Sequence, residues 1–313
     1  MAIRALLAAS FSERIVQRHL AEGPLIGQPK IDGMRVLIGD ERVPLSRSGK
    51  EYKQRHLRKW IQDHPTLVGF DNEVVAGLDY HADSFRESMS GVRAEDGANE
   101  LTCYVLDHFG APYLQYNDRM KIVYEALGGT WALHSTDQYT VKVIAIPCTP
   151  LYTLEEVYAF DEANIVAGWE GTILRRNDRP YKFNRATALD GTLTKLKRFE
   201  DAEAVVEGYE PWYTNHNEAT TNILGYTARS AHQENLEELP RLGALKVHLR
   251  TDPKVKFKIG VFRGLTHSDR DQMWIDRESL IGRICTFKHQ GYGGGYDSPR
   301  TPVFLNWRNA IDF

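Results

Sequence analysis

The sequence lacks the features that mark secreted, zinc-binding or membrane-spanning proteins. Its three cysteines, Cys103, Cys148 and Cys285, are far apart and odd in number, so they form neither a disulfide framework nor a zinc spacing. No apolar run reaches the roughly 18 residues of a membrane span. The apolar N-terminus is short for a signal segment and runs directly into a charged stretch, although a targeting role stays open. The cysteine pattern favours a reducing cytoplasm.

A strong excess of either charge is also missing. The 39 basic and 42 acidic residues leave a net charge of −3. That value is not typical of a nucleic-acid-binding protein, but it does not exclude one, because binding depends on where the charges lie. Basic residues are concentrated at 195–198 and 254–258. With 313 residues, 42% of them hydrophobic, the chain can form a substantial core, and its length favours two domains.

One lysine stands in a setting that suits phosphate chemistry. The spacing Lys-x-Asp-Gly-x-Arg runs from Lys30 to Arg35, just before the apolar run 36–38. A lysine that attacks phosphorus has to be neutral, and desolvation or nearby positive charge, such as that of Arg35, favours the neutral amine. The alternative is a β-turn at Asp32-Gly33 that leaves both cations solvated on a surface hairpin.

A serine- and arginine-containing segment follows at 46–51. Ser48 and Glu51 have the spacing of a capping box, which predicts a helix from Lys50 to about Asp63. The backbone amides at a helix N-terminus favour an anion. In the capping-box interpretation, Ser48 serves only as the N-terminal cap of this helix.

Two predicted strands carry polar side chains among apolar ones. Glu73 lies between apolar pairs in 67–75, where a carboxylate is costly to bury without a partner. Simple alternation would instead place Glu73 on the solvated face. In the strand 101–107, Tyr104 is the available aromatic ring, and Leu106 lies on the same face. That ring can stack on a base or belong to the core.

Three further charged residues stand at strand-like segments. Glu170 begins a Glu-Gly-x-x-x-Arg pattern that ends at Arg175. A glutamate at a strand entrance can hold a hard cation such as Mg²⁺ or pair with the arginine. Lys195 and Lys197 are two residues apart, so on a strand their side chains point the same way. Two lysines on one inward face repel each other, which is favourable only if an anion lies between them.

The character of the chain changes after Phe199, where an acidic segment leads into a strand, and we place a domain boundary near 199–201. Strand-like segments at 243–249, 255–259 and 282–288, with a helix at 266–280, are typical of a small β-barrel of the OB type. Near the end, Arg300 and Arg308 belong to an Arg-x-Pro-x-Phe…Arg pattern.

Taken in order from Lys30 to Arg308, these elements resemble the motifs of the covalent nucleotidyltransferases. The similarity is greatest to the minimal ATP-dependent DNA ligases of the small bacterial and phage type, and it covers nearly the whole chain. Asn72, where the family has glycine, and Leu106, where many relatives have an aromatic ring, are departures from the pattern. The resemblance implies an α+β protein. Its nucleotidyltransferase (adenylation) domain, ATP-grasp-like with antiparallel sheets and flanking helices, would span 1–199, and a small OB-fold β-barrel would span 200–313.

The resemblance also implies roles for the motif residues. Lys30 would be the nucleophile that carries AMP, with Lys195 and Lys197 as further catalytic residues that grip the phosphates. Glu73 would contact the ribose, and Glu170 and Glu73 would hold the metal. The implied nucleotide contacts are Gln28, Lys30, Arg35, Glu73, Tyr104, Glu170, Lys195, Lys197, Arg300 and Arg308, and the implied DNA contacts are Asp32, Arg35, Ser46 and Arg47.

The implied reaction uses ATP and Mg²⁺, with Mn²⁺ as an alternative metal, to seal nicks in duplex DNA. The resemblance implies a monomer in the cytoplasm of a bacterial or phage-infected cell, with no membrane partner. Two alternatives remain. One is a sister enzyme, either an RNA ligase or a GTP-using capping enzyme, and the other is a non-catalytic protein that binds nucleic acid through its OB domain.

Overall fold

Strands make up most of the regular structure, and helices pack against them. The structure is a computed structural model that describes residues 3–81, 84–135, 140–222, 226–292 and 298–308. The contacts within the chain divide it into two units, Met1–Lys197 and Arg198–Phe313. The sequence predicts a boundary two residues later, and the functional roles of the two units stay a prediction.

The first unit contains eleven strands and five helices among its described residues. The strands are β1 (Ala9–Ser10), β2 (Leu25–Pro29), β3 (Met34–Ile38), β4 (Pro44–Ser46), β5 (Phe70–Ala76), β6 (Glu100–His108), β7 (Ala132–Ser135), β8 (Thr140–Ala145), β9 (Thr149–Leu151), β10 (Thr172–Arg176) and β11 (Thr194–Leu196). The helices are α1 (Glu13–Glu22), α2 (Arg55–Asp63), α3 (Ser84–Gly91), α4 (Tyr116–Ala126) and α5 (Leu154–Val166), with a 3₁₀ turn at Pro65–Leu67.

These strands form two sheets, and the lysine motif links them. One sheet has the order β1-β11-β10-β2-β9 and the other has the order β4-β3-β5-β6-β8-β7. Neighbours are antiparallel except for β1 with β11 and β6 with β8. Because β2 belongs to the first sheet and β3 to the second, the short segment 30–33 crosses from one sheet to the other. Lys30 therefore lies where the two sheets meet.

Two apolar clusters fix the helices on these sheets. The six-stranded sheet packs against α2 and α4 through a core that includes Leu57, Ile61 and Val123, all fully buried. The five-stranded sheet packs against α1 and α5 through Val16 and Val157. The periodic apolar positions of these helices thus determine which sheet each helix covers.

The predicted helix from Lys50 is wrong in its first turn. The segment 46–50 is a tight turn in which the Ser46 amide donates to the Lys50 carbonyl at 2.7 Å. Helix α2 begins later, and its cap is Gln54, whose side-chain oxygen accepts from the Leu57 amide at 2.5 Å. The turn satisfies the backbone groups of this segment, so Ser48 does not serve as a cap.

The second unit is a β-barrel with one helix among its described residues. Its strands are β12 (Glu200–Asn215), β13 (Ala219–Thr221), β14 (Thr227–Arg229), β15 (Leu236–Leu249), β16 (Lys256–Ile259), β17 (Val261–Phe262), β18 (Ile284–His289) and β19 (Val303–Trp307). Helix α6 (His267–Ile275) has a complete capping box at Thr266 and Asp269, and 3₁₀ turns occur at Gln233–Asn235 and Arg277–Leu280.

The order of the larger sheet explains why it closes. The order is β16-β15-β12-β18-β19-β17, so the two outer strands are consecutive in the chain with only Gly260 between them. Joining both edges through one residue turns the sheet into a barrel around an apolar core that includes Val206, Leu245 and Phe287. The α+β class with an OB barrel is therefore confirmed. In the described part of the chain, no helix is long and apolar enough to cross a membrane.

Candidate active site

Strand pairing at one end of the five-stranded sheet brings Lys30 next to Glu170. In the pairing of β2 with β10, Pro29 lies opposite Thr172. Just beyond that pair, the Lys30 amide donates to the Gly171 carbonyl at 2.9 Å, and the Glu170 amide donates to the Lys30 carbonyl at 3.1 Å. The sheet register thus fixes an amine and a carboxylate side by side, although 140 positions separate them in the sequence.

The glycines of the two motifs are required by close packing. A Cβ on Gly33 would lie 2.7 Å from the Val74 carbonyl oxygen, and one on Gly171 would lie 2.6 Å from the Leu196 carbonyl oxygen. Gly171 also has a φ of 151°, which other residues rarely adopt. Each glycine lets the backbone that carries a charged residue approach the neighbouring strand.

Glu170 is bridged by two lysines. Its Oε2 accepts from Lys30 Nζ and its Oε1 accepts from Lys197 Nζ. The Glu170 side chain is 9% exposed and each lysine side chain 19%. Burial opposes ionisation of Glu170, but the two ammonium groups outweigh it and lower the pKa of this carboxyl. Glu170 is therefore an ionised carboxylate between two cations.

Lys195 adds a third cation to this group. It lies on β11 and, like Lys197, lines the same cleft as Lys30, as the two-residue spacing predicts. Burial, and after it the charges of Lys197 and Lys30, lowers the pKa of Lys195. Two lysines therefore pair with Glu170, and Lys195 adds a further positive charge beside them. The remaining positive charge is suited to phosphate oxygens.

Glu73 provides a second carboxylate with different properties. It lies on β5 opposite Arg35 of β3 and lines the cleft. Burial raises the pKa of Glu73 to about 7; the charges of Asp71 and Glu170 act in the same direction, and those of Arg35 and Lys30 oppose it. The charge of Glu73 therefore changes near neutral pH.

Lys30, Glu73, Lys195 and Lys197 all line one cleft of about 530 Å³ in the first unit. Three exposed arginines, Arg47, Arg93 and Arg185, line the same cleft. The sequence motifs include only Arg47 among these three. Arg93 lies in a turn and Arg185 in an isolated bridge to Leu7. Neither belongs to a sequence motif, so only the folded chain shows that they line the cleft.

Arg35 is held by a carboxylate that the lysine motif does not contain. Its Nε and Nη2 donate to both oxygens of Asp71, the second bond at 2.6 Å, and its Nη2 also donates to the Leu6 carbonyl at 3.1 Å. The Tyr181 hydroxyl donates to the same carboxylate at 2.7 Å. The charge of Arg35 is therefore matched by Asp71, and its expected effect on Lys30 stays a prediction.

The arginine of the Glu-Gly-x-x-x-Arg pattern also has an unexpected partner. Arg175 donates to Asp107 at 2.6 Å, and Arg119 donates to both oxygens of Asp107 at 2.7 and 3.0 Å. None of the three residues is more than 3% exposed, and the Arg175 guanidinium lies 4.0 Å from the centre of the Tyr116 ring. Arg175 thus forms part of the cleft wall through a buried charge cluster, and it does not pair with Glu170.

Of the two expected nucleotide contacts Gln28 and Tyr104, only Gln28 lines the cleft. Gln28 is 1% exposed and lines the cleft, with its amide nitrogen donating to the Tyr116 hydroxyl at 2.8 Å. Tyr104 is buried in a core cluster, edge-on to Tyr80 and Trp169. Leu106, not Tyr104, lines the cleft. The position of Tyr104 fits the alternative in which its ring belongs to the core.

The residues expected to contact DNA are separated as well. Ser46 lines the cleft next to Arg47, and its hydroxyl accepts from the Lys50 amide at 3.0 Å. The amide of Asp32 donates to the Tyr80 hydroxyl at 3.3 Å, and Asp32 does not line the cleft. Ser46 and Arg47 therefore share a surface with Lys30, whereas Asp32 belongs to the adjoining turn.

Arg300 and Arg308 lie in the second unit. The Arg308 Nε donates to Glu203 at 2.5 Å. The Arg300 carbonyl accepts from the Gln290 amide at 3.0 Å, and its own amide donates to the Gly291 carbonyl at 3.1 Å. These contacts order the last strand of the barrel, and the expected role of both arginines toward the nucleotide stays a prediction.

The two glutamates fit one of the usual modes of Mg²⁺ binding. Mg²⁺ is commonly held by one or two carboxylates together with water and substrate phosphates. Glu170 is ionised, and its charge acts on Glu73, which ionises near pH 7. Within the described ranges, no cluster of three or more acidic, histidine or cysteine side chains could hold a metal by itself. The residues therefore fit a metal shared with a substrate.

Solved structures match the chain over almost its whole length. The crystal structure of Chlorella virus DNA ligase-adenylate matches with a TM-score of 0.51 and 25% identity, over 98% of this chain and 100% of that chain. A second structure of that adenylate has 26% identity, a TM-score of 0.51 and 99% coverage of both chains. A structure from an analysis of Lig E DNA ligases as a minimal DNA-binding scaffold has a TM-score of 0.66 at 17% identity, over 98% and 100%.

This is the fold of the DNA ligases in the covalent nucleotidyltransferase superfamily. The ligase fold confirms the resemblance and the fold class that the sequence motifs imply. No protein-family model matches the sequence, and no curated protein does. Since most side chains differ from those of these ligases, the roles of individual residues depend on the geometry of the cleft.

Proposed function

We propose that this chain is an ATP-dependent DNA ligase that seals nicks with 5′-phosphate and 3′-hydroxyl ends in duplex DNA. The observation that carries the proposal is the convergence of Lys30, Glu73, Glu170, Lys195 and Lys197. Separate stretches of the sequence supply these residues. Four of them line one cleft, and Glu170 is bonded to two of the four, Lys30 and Lys197. The likeness to Chlorella virus DNA ligase-adenylate over the whole chain supports the same assignment.

In the first step, Lys30 Nζ attacks the α-phosphate of ATP, pyrophosphate leaves, and AMP stays on the lysine. Glu170 holds the Nζ in place and is the contacting carboxylate that can accept its proton. Lys195 and Lys197 stabilise the charge that develops on the phosphoryl oxygens. The nucleophile, the proton acceptor and the charge stabilisers are therefore all present in the first unit.

In the later steps, AMP moves to the 5′-phosphate of the nick, the 3′-hydroxyl attacks that phosphate, and AMP departs. Ser46 and Arg47 contact the DNA strand from the same cleft. Glu73 contacts the ribose of the nucleotide. Glu170 and Glu73 would hold Mg²⁺, which would supply positive charge that offsets the negative charge of the reacting groups.

The second unit is proposed to act as the OB domain of the ligase. Its barrel has the architecture of that domain, with β12 and β15 as its two longest strands. Contacts to the sugar-phosphate backbone would give affinity for duplex DNA without sequence preference. This assignment accounts for a full-length match to the ligases and not only for a match to the adenylation domain.

The proposal is tested by sealing of a nicked duplex whose 5′-phosphate is labelled. Wild-type protein with ATP and Mg²⁺ should join the strands, and Lys30→Ala should not. Lys59→Ala, which removes an exposed lysine paired with Asp63, is the matched control and should behave as wild type. Sealing that persists in Lys30→Ala, or joining of RNA ends but not DNA ends, would contradict the proposal, and the second result would favour an RNA ligase.

A supplementary substrate separates the steps. Lys30→Ala supplied with a nick that already carries AMP on its 5′-phosphate should still join the strands, since Lys30 acts as nucleophile only in the first step. Failure on this substrate with a correctly folded variant would mean that Lys30 has a different role.

A further inference from the structure

Arg93 is an arginine of the cleft that none of the sequence motifs contains. We propose that Arg93 and Arg47 together form a second anion subsite, which binds a backbone phosphate of the nucleic-acid substrate and not the nucleotide. This inference rests on the proposed function and extends it by assigning a further substrate contact.

The charge of Arg93 is not matched by a carboxylate. The side chain is exposed and lines the cleft, and it forms no hydrogen bond or ion pair among the residues that the structure describes. The two acidic residues that follow it most closely, Glu95 and Asp96, are both engaged by Arg55, at 3.2 and 2.9 Å. Arg93 thus presents a positive charge that is available to an anion.

The backbone that carries Arg93 is firmly held, so the side chain starts from a fixed point. The preceding Val92 is fully buried, and its amide donates to the Ser88 carbonyl at 3.0 Å. The Ser88 hydroxyl accepts from the Ala76 amide at 2.9 Å, which ties this turn to β5. A Cβ on Gly91 would lie 2.9 Å from the Ala76 Cβ, so the contact with the sheet is close.

Arg93 and Arg47 lie around the same side chain. Tyr52 is 9% exposed and lines the cleft. Burial raises the pKa of Tyr52 and the charge of Glu73 adds to this, whereas the charges of Arg93 and Arg47 both act in the opposite direction. Two arginines from different elements therefore converge on one part of the cleft surface.

The two cationic parts of the cleft differ in a way that distinguishes their ligands. Lys30 and Lys197 are mostly buried and share the carboxylate of Glu170. Arg93 and Arg47 are exposed and have no carboxylate partner among the described residues. A nucleotide brings its phosphates to Lys30, whereas a nucleic-acid strand continues past the reacting phosphate and presents further ones. Exposed arginines are typical contacts for such backbone phosphates.

The experiment measures binding of a nicked duplex by fluorescence anisotropy over a series of salt concentrations. The variants are Arg93→Ala, Arg93→Lys and, as a control, Arg18→Ala, which removes an exposed arginine of α1 outside the cleft. Each phosphate contact contributes about 0.9 to the slope of log affinity against log salt, so Arg93→Ala should reduce the slope by about that amount. When the salt is raised from about 50 to about 200 mM, the fold-loss of DNA affinity should be about threefold smaller for Arg93→Ala than for wild type.

The outcomes separate this inference from the proposed function. A reduced slope in Arg93→Ala, restored in Arg93→Lys, with unchanged labelling of Lys30 by α-labelled ATP, would support the phosphate contact. A slope equal to that of Arg18→Ala would overturn it, and so would a loss of Lys30 labelling, because the subsite would then serve the nucleotide. Failure of Lys30 labelling in the wild type, with intact binding of DNA, would instead count against the proposed function.

The double variant Arg47→Ala/Arg93→Ala tests whether the two arginines act on separate phosphates. Separate contacts predict a slope reduced by about 1.8, the sum of two contacts. A double variant that matches either single variant would mean that both guanidinium groups hold one phosphate, and it would still support the subsite. A double variant with the wild-type slope would contradict it.

Discussion

The carboxyl of Glu73 allows a sharp test, because its protonation is coupled to folding. Burial raises its pKa to about 7 from a usual value of 4.5. A folded protein that binds this proton more tightly than the unfolded chain gains stability at low pH. That stability is fully present below about pH 4.5, declines as the pH rises, and is lost above the folded pKa of about 7. Glu73→Gln, which stays uncharged, should not show this decline.

The magnitude follows from the size of the shift. A change of one pKa unit corresponds to about 1.4 kcal/mol, so a rise from 4.5 to about 7 corresponds to no more than about 3.5 kcal/mol. The free energy of unfolding of the wild type should therefore fall by up to that amount, relative to Glu73→Gln, between about pH 4.5 and about pH 7.

The assay is urea denaturation of both proteins at half-unit pH intervals in the absence of Mg²⁺. Glu125→Gln, which changes an exposed glutamate of α4, is the control and should follow the wild-type curve. Added Mg²⁺ should reduce the difference above neutral pH if the metal binds the ionised carboxylate. Parallel pH curves for wild type and Glu73→Gln would refute the argument that burial holds the Glu73 proton.

Three further predictions concern a buried charge cluster, the cap of α2 and the transfer of AMP. Asp107→Asn should lower the free energy of unfolding by about 3–5 kcal/mol, since two buried guanidinium groups lose their carboxylate, and an unchanged urea midpoint would disprove this. Gln54→Ala should cost about 1 kcal/mol through loss of the α2 cap, whereas Ser48→Ala should leave the melting temperature unchanged; the reverse order would reinstate Ser48 as the cap. Lys197→Met should slow transfer of labelled AMP from ATP roughly 100-fold or more, and a wild-type rate would exclude Lys197 from that step.

The centre of the cleft is predictable from the sequence because its residues occur in short motifs with chemical meaning. Lys30 with Gly33, and Glu170 with Gly171, combine a charged side chain with a glycine that the packing requires. The spacing of Lys195 and Lys197 places both on one face of a strand. Short-range patterns of this kind carry their information within a few residues.

The partners of the motif residues are not predictable in this way. Arg35 pairs with Asp71 and Arg175 with Asp107, at separations of 36 and 68 positions, and only the sheet pairing brings these groups together. Arg93 has no motif at all, and its place at the cleft follows from the contact of α3 with β5.

The start of α2 is mispredicted from the sequence for a different reason. The Ser48–Glu51 spacing satisfies the capping pattern, but the turn at 46–50 satisfies the same backbone groups first. A local rule therefore fails where two local structures compete for one segment.

The most direct test of the central claim is covalent labelling of the protein by α-labelled ATP in the presence of Mg²⁺, followed by denaturation. A dephosphorylated, correctly folded sample should retain labelled AMP on Lys30, and Lys30→Ala should retain none. Labelling by α-labelled GTP instead of ATP would point to a capping enzyme. Absence of label from both nucleotides, or equal labelling of Lys30→Ala, would contradict the assignment of this cleft as an adenylation site.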